Sequence, residues 1–182
     1  MRQQLEQQFP QVLSLAGTSQ AIPLSSHSMD AVFCAQSFHW FSDHASVSEI
    51  ARILKPKGDL ILIWNQRDLN VDWVNALAEC IAPFEGDTPR YHSGEWQNIF
   101  SQQEEFRFIQ KHQIAHPQIG RVEDVVSKRL LSTSFIAALS SQKQYNLKQK
   151  FESIIKDYTQ KAPDDAIVFP YQTYIYHYQK YR

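Results

Sequence analysis

Short unbroken apolar runs, separated by polar and turn-forming residues, set the rhythm of the first third of the chain. Residues 12–16, 29–35 and 60–64 are three such runs. The cleanest is 60–64, four aliphatic residues and a Trp bounded by Lys57-Gly58-Asp59 and Asn65. Continuous rather than alternating apolar character predicts parallel strands buried on both faces. Between the second and third runs, Val47, Ile50, Ala51 and Leu54 recur at spacings of three and four, the apolar stripe of a helix. Ser42 or Asp43 stands where its first turn needs a cap. Pro56 and Gly58 stand where it must stop. Strand, helix and strand in this order predict a right-handed βαβ unit.

The pattern is less regular beyond Asp68. Residues 71–82 read as a helix with Val74, Leu77, Ala78 and Ile81 on one side, and 83–95 as a loop bordering a site. Residues 106–115 have strand character. Val122, Val125, Val126 and Leu130 form one helical stripe, and Leu147, Phe151, Ile154, Ile155 and Tyr158 a longer one. Residues 167–178 close the chain as a single aromatic-rich strand, with Tyr174, Tyr176 and Tyr178 on one face as a packed sheet edge. The whole reads as one α/β domain over residues 1–182.

Composition removes several function classes. The formal net charge is −1, so no basic surface for nucleic acid is expected. The five glycines lie at 17, 58, 86, 94 and 120, too far apart for a phosphate-cradling glycine-rich turn. Cys34 and Cys80 are distant in sequence, which fits a reducing, cytoplasmic setting, with Cys34 as inert core. The start is Gln-rich without a signal-peptide apolar run, and no stretch is long enough for a membrane span. His112 and His116 have the spacing of a helical metal pair, but the segment reads as strand and lacks the accompanying Glu. No metal site is expected.

Candidate chemistry sits after each of the three runs, where parallel sheets present ligand sites. Gly17-Thr18-Ser19-Gln20 follows the first, Gln36-Ser37-Phe38-His39-Trp40-Phe41 the second, and Asn65-Gln66-Arg67-Asp68 the third. His39 can act as a general base or hydrogen-bond a ligand. Arg67 can bind a carboxylate or pair with Asp68. Three polar clusters converge in space if the sheet is parallel.

These segments, with Glu49-Ile50-Ala51-Arg52-Ile53-Leu54-Lys55-Pro56-Lys57-Gly58, Trp64-Asn65-Gln66-Arg67-Asp68 and Pro170-Tyr171-Gln172-Thr173, resemble class I S-adenosylmethionine-dependent methyltransferases. The likeness is to the small-molecule "type 11" branch, and it covers nearly all of the chain. It implies a Rossmann-like α/β methyltransferase sheet with antiparallel C-terminal strands. It also implies a partial domain, N-terminally truncated. The family's first two strands, first helix and glycine-rich cofactor turn, about 70 residues at a typical βαβ length, would be missing.

By position, the resemblance places Thr18, Ser19 and Gln20 at the adenine edge of S-adenosylmethionine and Gln36 and Ser37 beneath the cofactor. His39 becomes the base that takes the acceptor's proton. Trp40, Trp64, Arg67 and Trp73 become contacts of a small-molecule methyl acceptor. The missing strands imply an open sheet edge and a homodimer through it. Two readings follow: a methyltransferase impaired by truncation, or a non-catalytic remnant that folds or dimerises without binding cofactor.

Overall fold

The structure is a computed structural model and describes residues 2–182. Its strands are β1 (Met29–Ala35), β2 (Leu54–Arg67), β3 (Phe106–Ala115), β4 (Gln118–Arg121), β5 (Ala166–Phe169) and β6 (Tyr171–Lys180). Four form one sheet in the order β1-β2-β6-β3, and β4 and β5 form a second. β1 and β2 are parallel, with Ala31 opposite Asp59 and Ala35 opposite Ile63. Helix α2 (His44–Ile53) connects them, so the strand–helix–strand reading holds. β6 runs against β2: its Lys180 reaches Leu54 and its His177 reaches Asp59. β6 also runs against β3, with Tyr181 bonded to Glu105 and Tyr171 to His116. The C-terminal strands are therefore antiparallel, as expected.

The chain divides into two compact units. One comprises the chain through Ile63 with residues 90–111 and 176–182; the other comprises 64–89 and 112–175.

In the first unit, helix α1 (Arg2–Gln8) has no buried residue. The predicted first strand does not form. Residues 12–16 make no ladder, and Val12, Leu13 and Leu15 are exposed. A strand needs a neighbour to satisfy its backbone groups, and β1, the last strand at its end of the sheet, pairs with β2 alone. β1 is correspondingly open: Cys34 is its one buried residue, and Phe33 is 67% exposed. β2 buries one face fully, through Leu60 and Leu62, and leaves the other, with Ile61 and Ile63, half-buried.

The turn expected at 55–58 lies within β2. Lys57 takes a positive φ of 64°, and the pairing register shifts between Met29 and Ala31. Pro56 and Gly58 thus end α2 by building an irregularity into the strand rather than a loop. Gly58 is required there, because a Cβ would stand 2.9 Å from the Lys55 carbonyl and 3.1 Å from that of Asp30. The unit's aromatic core joins Phe38, Trp96 and Phe100 to Tyr176 and Tyr178; Phe100 stacks on Tyr178 at 3.9 Å. β6 is therefore an interior strand and not the sheet edge its tyrosines suggested.

The second unit is mainly helical. It holds helix α3 (Asp72–Ile81), a π-helical turn (Glu123–Lys128), α4 (Arg129–Leu131), α5 (Ser134–Ala137) and α6 (Ser141–Thr159), with the antiparallel β4–β5 pair packed against the π-helical turn. The predicted stripes supply its core: Val74 and Leu77 from α3, Val126 and Leu130, and Phe151 and Ile155 from α6. The single strand predicted over 167–178 is two strands. Pro170, with no N–H to donate, separates β5, paired with β4, from β6 in the larger sheet. Among the described residues, no helix is long and apolar enough to cross a membrane.

Candidate functional site

The α2 N-terminus organises the first unit's polar loops. Asp43 caps the helix, its carboxylate accepting from the Ser46 N–H at 2.7 Å, as the sequence allowed. The same carboxylate accepts from Gln20 Nε2 at 2.9 Å. The Ser46 and Ser19 hydroxyls lie 2.9 Å apart. Thr18 closes a tight turn with Ala21 through two backbone bonds of 3.2 and 3.3 Å. Further along, Glu49 accepts from the Ile22 N–H at 2.7 Å and holds Arg52 through two 2.8 Å bonds. Arg52 in turn donates to the carbonyls of Ile22 and Leu24. Charge-assisted bonds of this kind are among the stronger ones. They hold the Glu49 carboxyl at about 2, chiefly through Arg52 and then the Ile22 amide. The Ser46 amide and Gln20 hold Asp43 below the usual carboxylate range.

The second polar loop leaves the carboxyl end of β1. Gln36 has a φ of +54°, a conformation uncommon outside glycine, and its N–H is bonded to Ile63 at 2.8 Å. Ser37 begins the 3₁₀ turn Phe38–Trp40. Phe38 is fully buried, 5.5 Å from Phe41 and from Phe100, and anchors that turn. Anchoring leaves His39 half-buried and Trp40 52% exposed, their rings 5.2 Å apart. Burial, and then the positive charge of Arg90, hold the His39 imidazole below its ordinary 6.5.

The five expected cofactor residues and the expected base therefore lie in one unit, Ser19 and Gln20 bonded to the start of α2 and the other loop leading into that helix. Of the expected acceptor contacts, Trp40 lies in the same unit, whereas Trp64, Arg67 and Trp73 belong to the other. Trp64 is fully buried and offers no open face. Trp73 packs on Phe169 at 5.1 Å. The charge of Arg67 acts on the Tyr171 hydroxyl, while neighbouring Asp68 accepts from Gln172 and Asn70. Sequence reasoning missed Glu49 and Arg52 as a loop clamp, although their i, i+3 spacing on a helix was a readable signal. Nothing local marked Arg90, about fifty residues away from His39.

A family model described as a methyltransferase domain matches residues 1–62. The chain is 34% identical over 171 residues to an uncharacterized methyltransferase-like protein of Schizosaccharomyces pombe, covering 93% of this chain and 65% of the relative. The chain is thus similar to methyltransferases, by a domain model over its first 62 residues and by a curated relative along most of its length. An uncharacterized methyltransferase of Mycobacterium tuberculosis is 29% identical over 165 residues, 91% of this chain and 64% of that one. The chain spans slightly under two thirds of the length of these curated relatives. A candidate type II methyltransferase structure from Anaeromyxobacter dehalogenans superposes with a TM-score of 0.60 at 14% identity, covering 97% of this chain and 77% of that one. The likeness at that identity is one of fold, the Rossmann-like α/β arrangement.

The residues can be tested against S-adenosylmethionine. Uncharged donors and acceptors on 18–20 and 36–37 suit an adenine ring, and the open Trp40 face suits a sulfonium cation. An acidic partner for the ribose hydroxyls is not among these residues, since Asp43 is spent on its cap and Gln20. The fit is to the two ends of the cofactor.

Proposed function

We propose that this chain serves an S-adenosylmethionine-dependent methyltransferase acting on a small molecule. The observation that carries this reading is the bonding of Ser19 and Gln20 to the start of α2, the helix that the 36–41 loop leads into, in a chain similar to methyltransferases. Thr18, Ser19 and Gln20 would hold the adenine edge, and Gln36 and Ser37 the underside of the cofactor. When bound, S-adenosylmethionine supplies an electrophilic methyl group on sulfur. Trp40 offers the wall against which an acceptor and that methyl are aligned, and positioning is the larger part of such catalysis. His39, kept neutral by burial and Arg90, is free to take the acceptor's proton as its bond to the methyl carbon forms and the carbon–sulfur bond breaks. The base form persists below pH 6.5. The acid limb of the rate profile therefore falls below that pH.

Calorimetric titration of the folded chain with S-adenosylmethionine is the direct test. Gln36→Ala should weaken that binding, and His39→Ala should lower turnover about 10²–10⁴-fold. Unchanged methyl transfer in both variants would overturn the site assignment. One observation favours the second reading, a non-catalytic remnant: Ser19 and Gln20 already spend hydrogen bonds on Ser46 and Asp43. No binding by a folded sample would decide for it. The open outer edge of β1, with Phe33 exposed, supports pairing with a second copy under either reading. Light scattering that finds a monomer at high concentration would exclude that dimer.

A further inference from the structure

A lysine of the first unit is buried without a counter-ion. Lys180, the last residue of β6, is 8% exposed. Its ammonium donates to the Leu54 carbonyl at 2.9 Å, in a buried bond. Leu54 is the C-cap of α2, so the charge also meets the negative end of that helix. Capping uses one N–H of the ammonium. Among the described residues, the others have no acceptor and no carboxylate lies within ion-pair distance. Lysine is almost never this buried unless paired, because a charge taken out of water needs acceptors.

Lys180 lines a cavity of about 520 Å³ together with Glu104, Glu105, Tyr181 and Arg182. The acidic side of this cavity is held in place. Gln103 closes the turn that presents the two glutamates, bonding the N–H and the carbonyl of Phe106 at 2.7 and 2.9 Å. The Ser48 hydroxyl of α2 donates to the Glu105 carboxylate at 2.8 Å, and the Tyr181 N–H to the Glu105 carbonyl at 3.0 Å. Glu104 is exposed, and its carboxylate accepts no bond among the described residues. The Tyr181 side chain is exposed as well. The cavity thus carries a buried cation, carboxylates kept apart from it, and an open aromatic ring.

We infer that this cavity binds a free α-amino acid with an apolar side chain. The ligand's carboxylate supplies the counter-ion that Lys180 lacks, in charge-assisted bonds. Its ammonium meets Glu104 and Glu105, and its side chain lies against Tyr181. A simple anion is repelled by the glutamates and a simple cation by Lys180 and Arg182; a zwitterion satisfies both. A cavity of this size suits a small ligand. All of these residues lie in the first unit, and the inference does not depend on methyl transfer.

The test is calorimetric titration of the full chain with L-phenylalanine. Two analogues are titrated separately: 3-phenylpropionate, which lacks the ammonium, and phenethylamine, which lacks the carboxylate. Saturable binding of L-phenylalanine is expected, with each analogue about tenfold weaker or more, the scale of a lost charged hydrogen bond. Glu104→Gln should weaken L-phenylalanine about tenfold without weakening 3-phenylpropionate. Lys180→Met should weaken L-phenylalanine by a similar factor without weakening phenethylamine. No saturable heat with L-phenylalanine, an analogue that binds as tightly as the amino acid, or equal amino-acid affinity in the wild type and Glu104→Gln would overturn the inference. Circular dichroism confirms that each variant is folded. Should Lys180→Met fail to fold, Glu104→Gln, at an exposed side chain, and the two analogues decide the case.

Discussion

The 17–28 segment and the helical core of the second unit are held in opposite ways. The segment has no buried residue. It is fastened to α2 by Asp43, Ser46, Glu49 and Arg52, mostly through short polar bonds. The core of the second unit rests on fully buried side chains such as Val74, Leu77, Phe151 and Phe169. The first arrangement is local, exposed and sensitive to charge. The second is cooperative and sensitive to volume. Candidate cofactor residues sit on the weaker element, in line with the tendency of ligand-binding loops to come from the low-stability end of a structure.

The comparison breaks most sharply at Phe151. Phe151→Ala removes a fully buried ring and should cost about 3–5 kcal/mol, read as an early denaturant midpoint for the second unit while the Ile22 amide keeps its protection. Glu49→Gln should do the reverse. Loss of its charged acceptor should speed exchange of the Ile22 amide by about tenfold and leave the second unit's midpoint in place. Simultaneous loss in both regions after either change would mean that the contrast drawn here is wrong.

Acid should separate the regions in the same direction. The folded-state carboxyl of Glu49 lies at about 2, below its ordinary 4.5. A depressed carboxyl contributes stability that is present above its unfolded value and lost as pH falls through the folded one. The segment should therefore loosen between about pH 4.5 and 2 with the apolar core intact, as Ile22 amide exchange corrected for intrinsic rate would report. The smallest effect is expected for Asp43→Ala, about 1 kcal/mol for a lost helix cap, accompanied by release of Gln20. Calorimetric melting and the Gln20 side-chain amide signals would show the two parts.

Helices α2, α3 and α6 were legible because each carries its own period. Three or four apolar residues on one face identify a helix whatever it packs against, and the Asp43 cap is a contact three residues long. The strands were legible as segments but not as partners. The runs at 12–16 and 29–35 looked alike, yet one forms no strand and the other an open edge. Pairing depends on what lies alongside, which a local window does not contain. Pro170 was visible throughout; that it divides two sheets rather than kinking one strand required β4 as a partner for β5. Among candidate site residues, those following β1 and on the 17–20 turn fell together in one unit. Trp64 did not serve as an open wall, because its run continues a buried strand.

The amino-acid sequence alone determined the class of the fold, the apolar stripes of α2, α3 and α6, the absence of a glycine-rich phosphate turn and the family likeness. All of these are carried by spacings of a few residues or by composition. Only the tertiary structure decided that Glu49 and Arg52 clamp the candidate cofactor segment, that burial and the charge of Arg90 lower the His39 pKa, and that Gln172 is bonded to Asp68. Those relations join residues 27 to 104 positions apart in the chain. Electrostatic and hydrogen-bonding partners act through space over a few ångströms, and sequence distance does not report that separation.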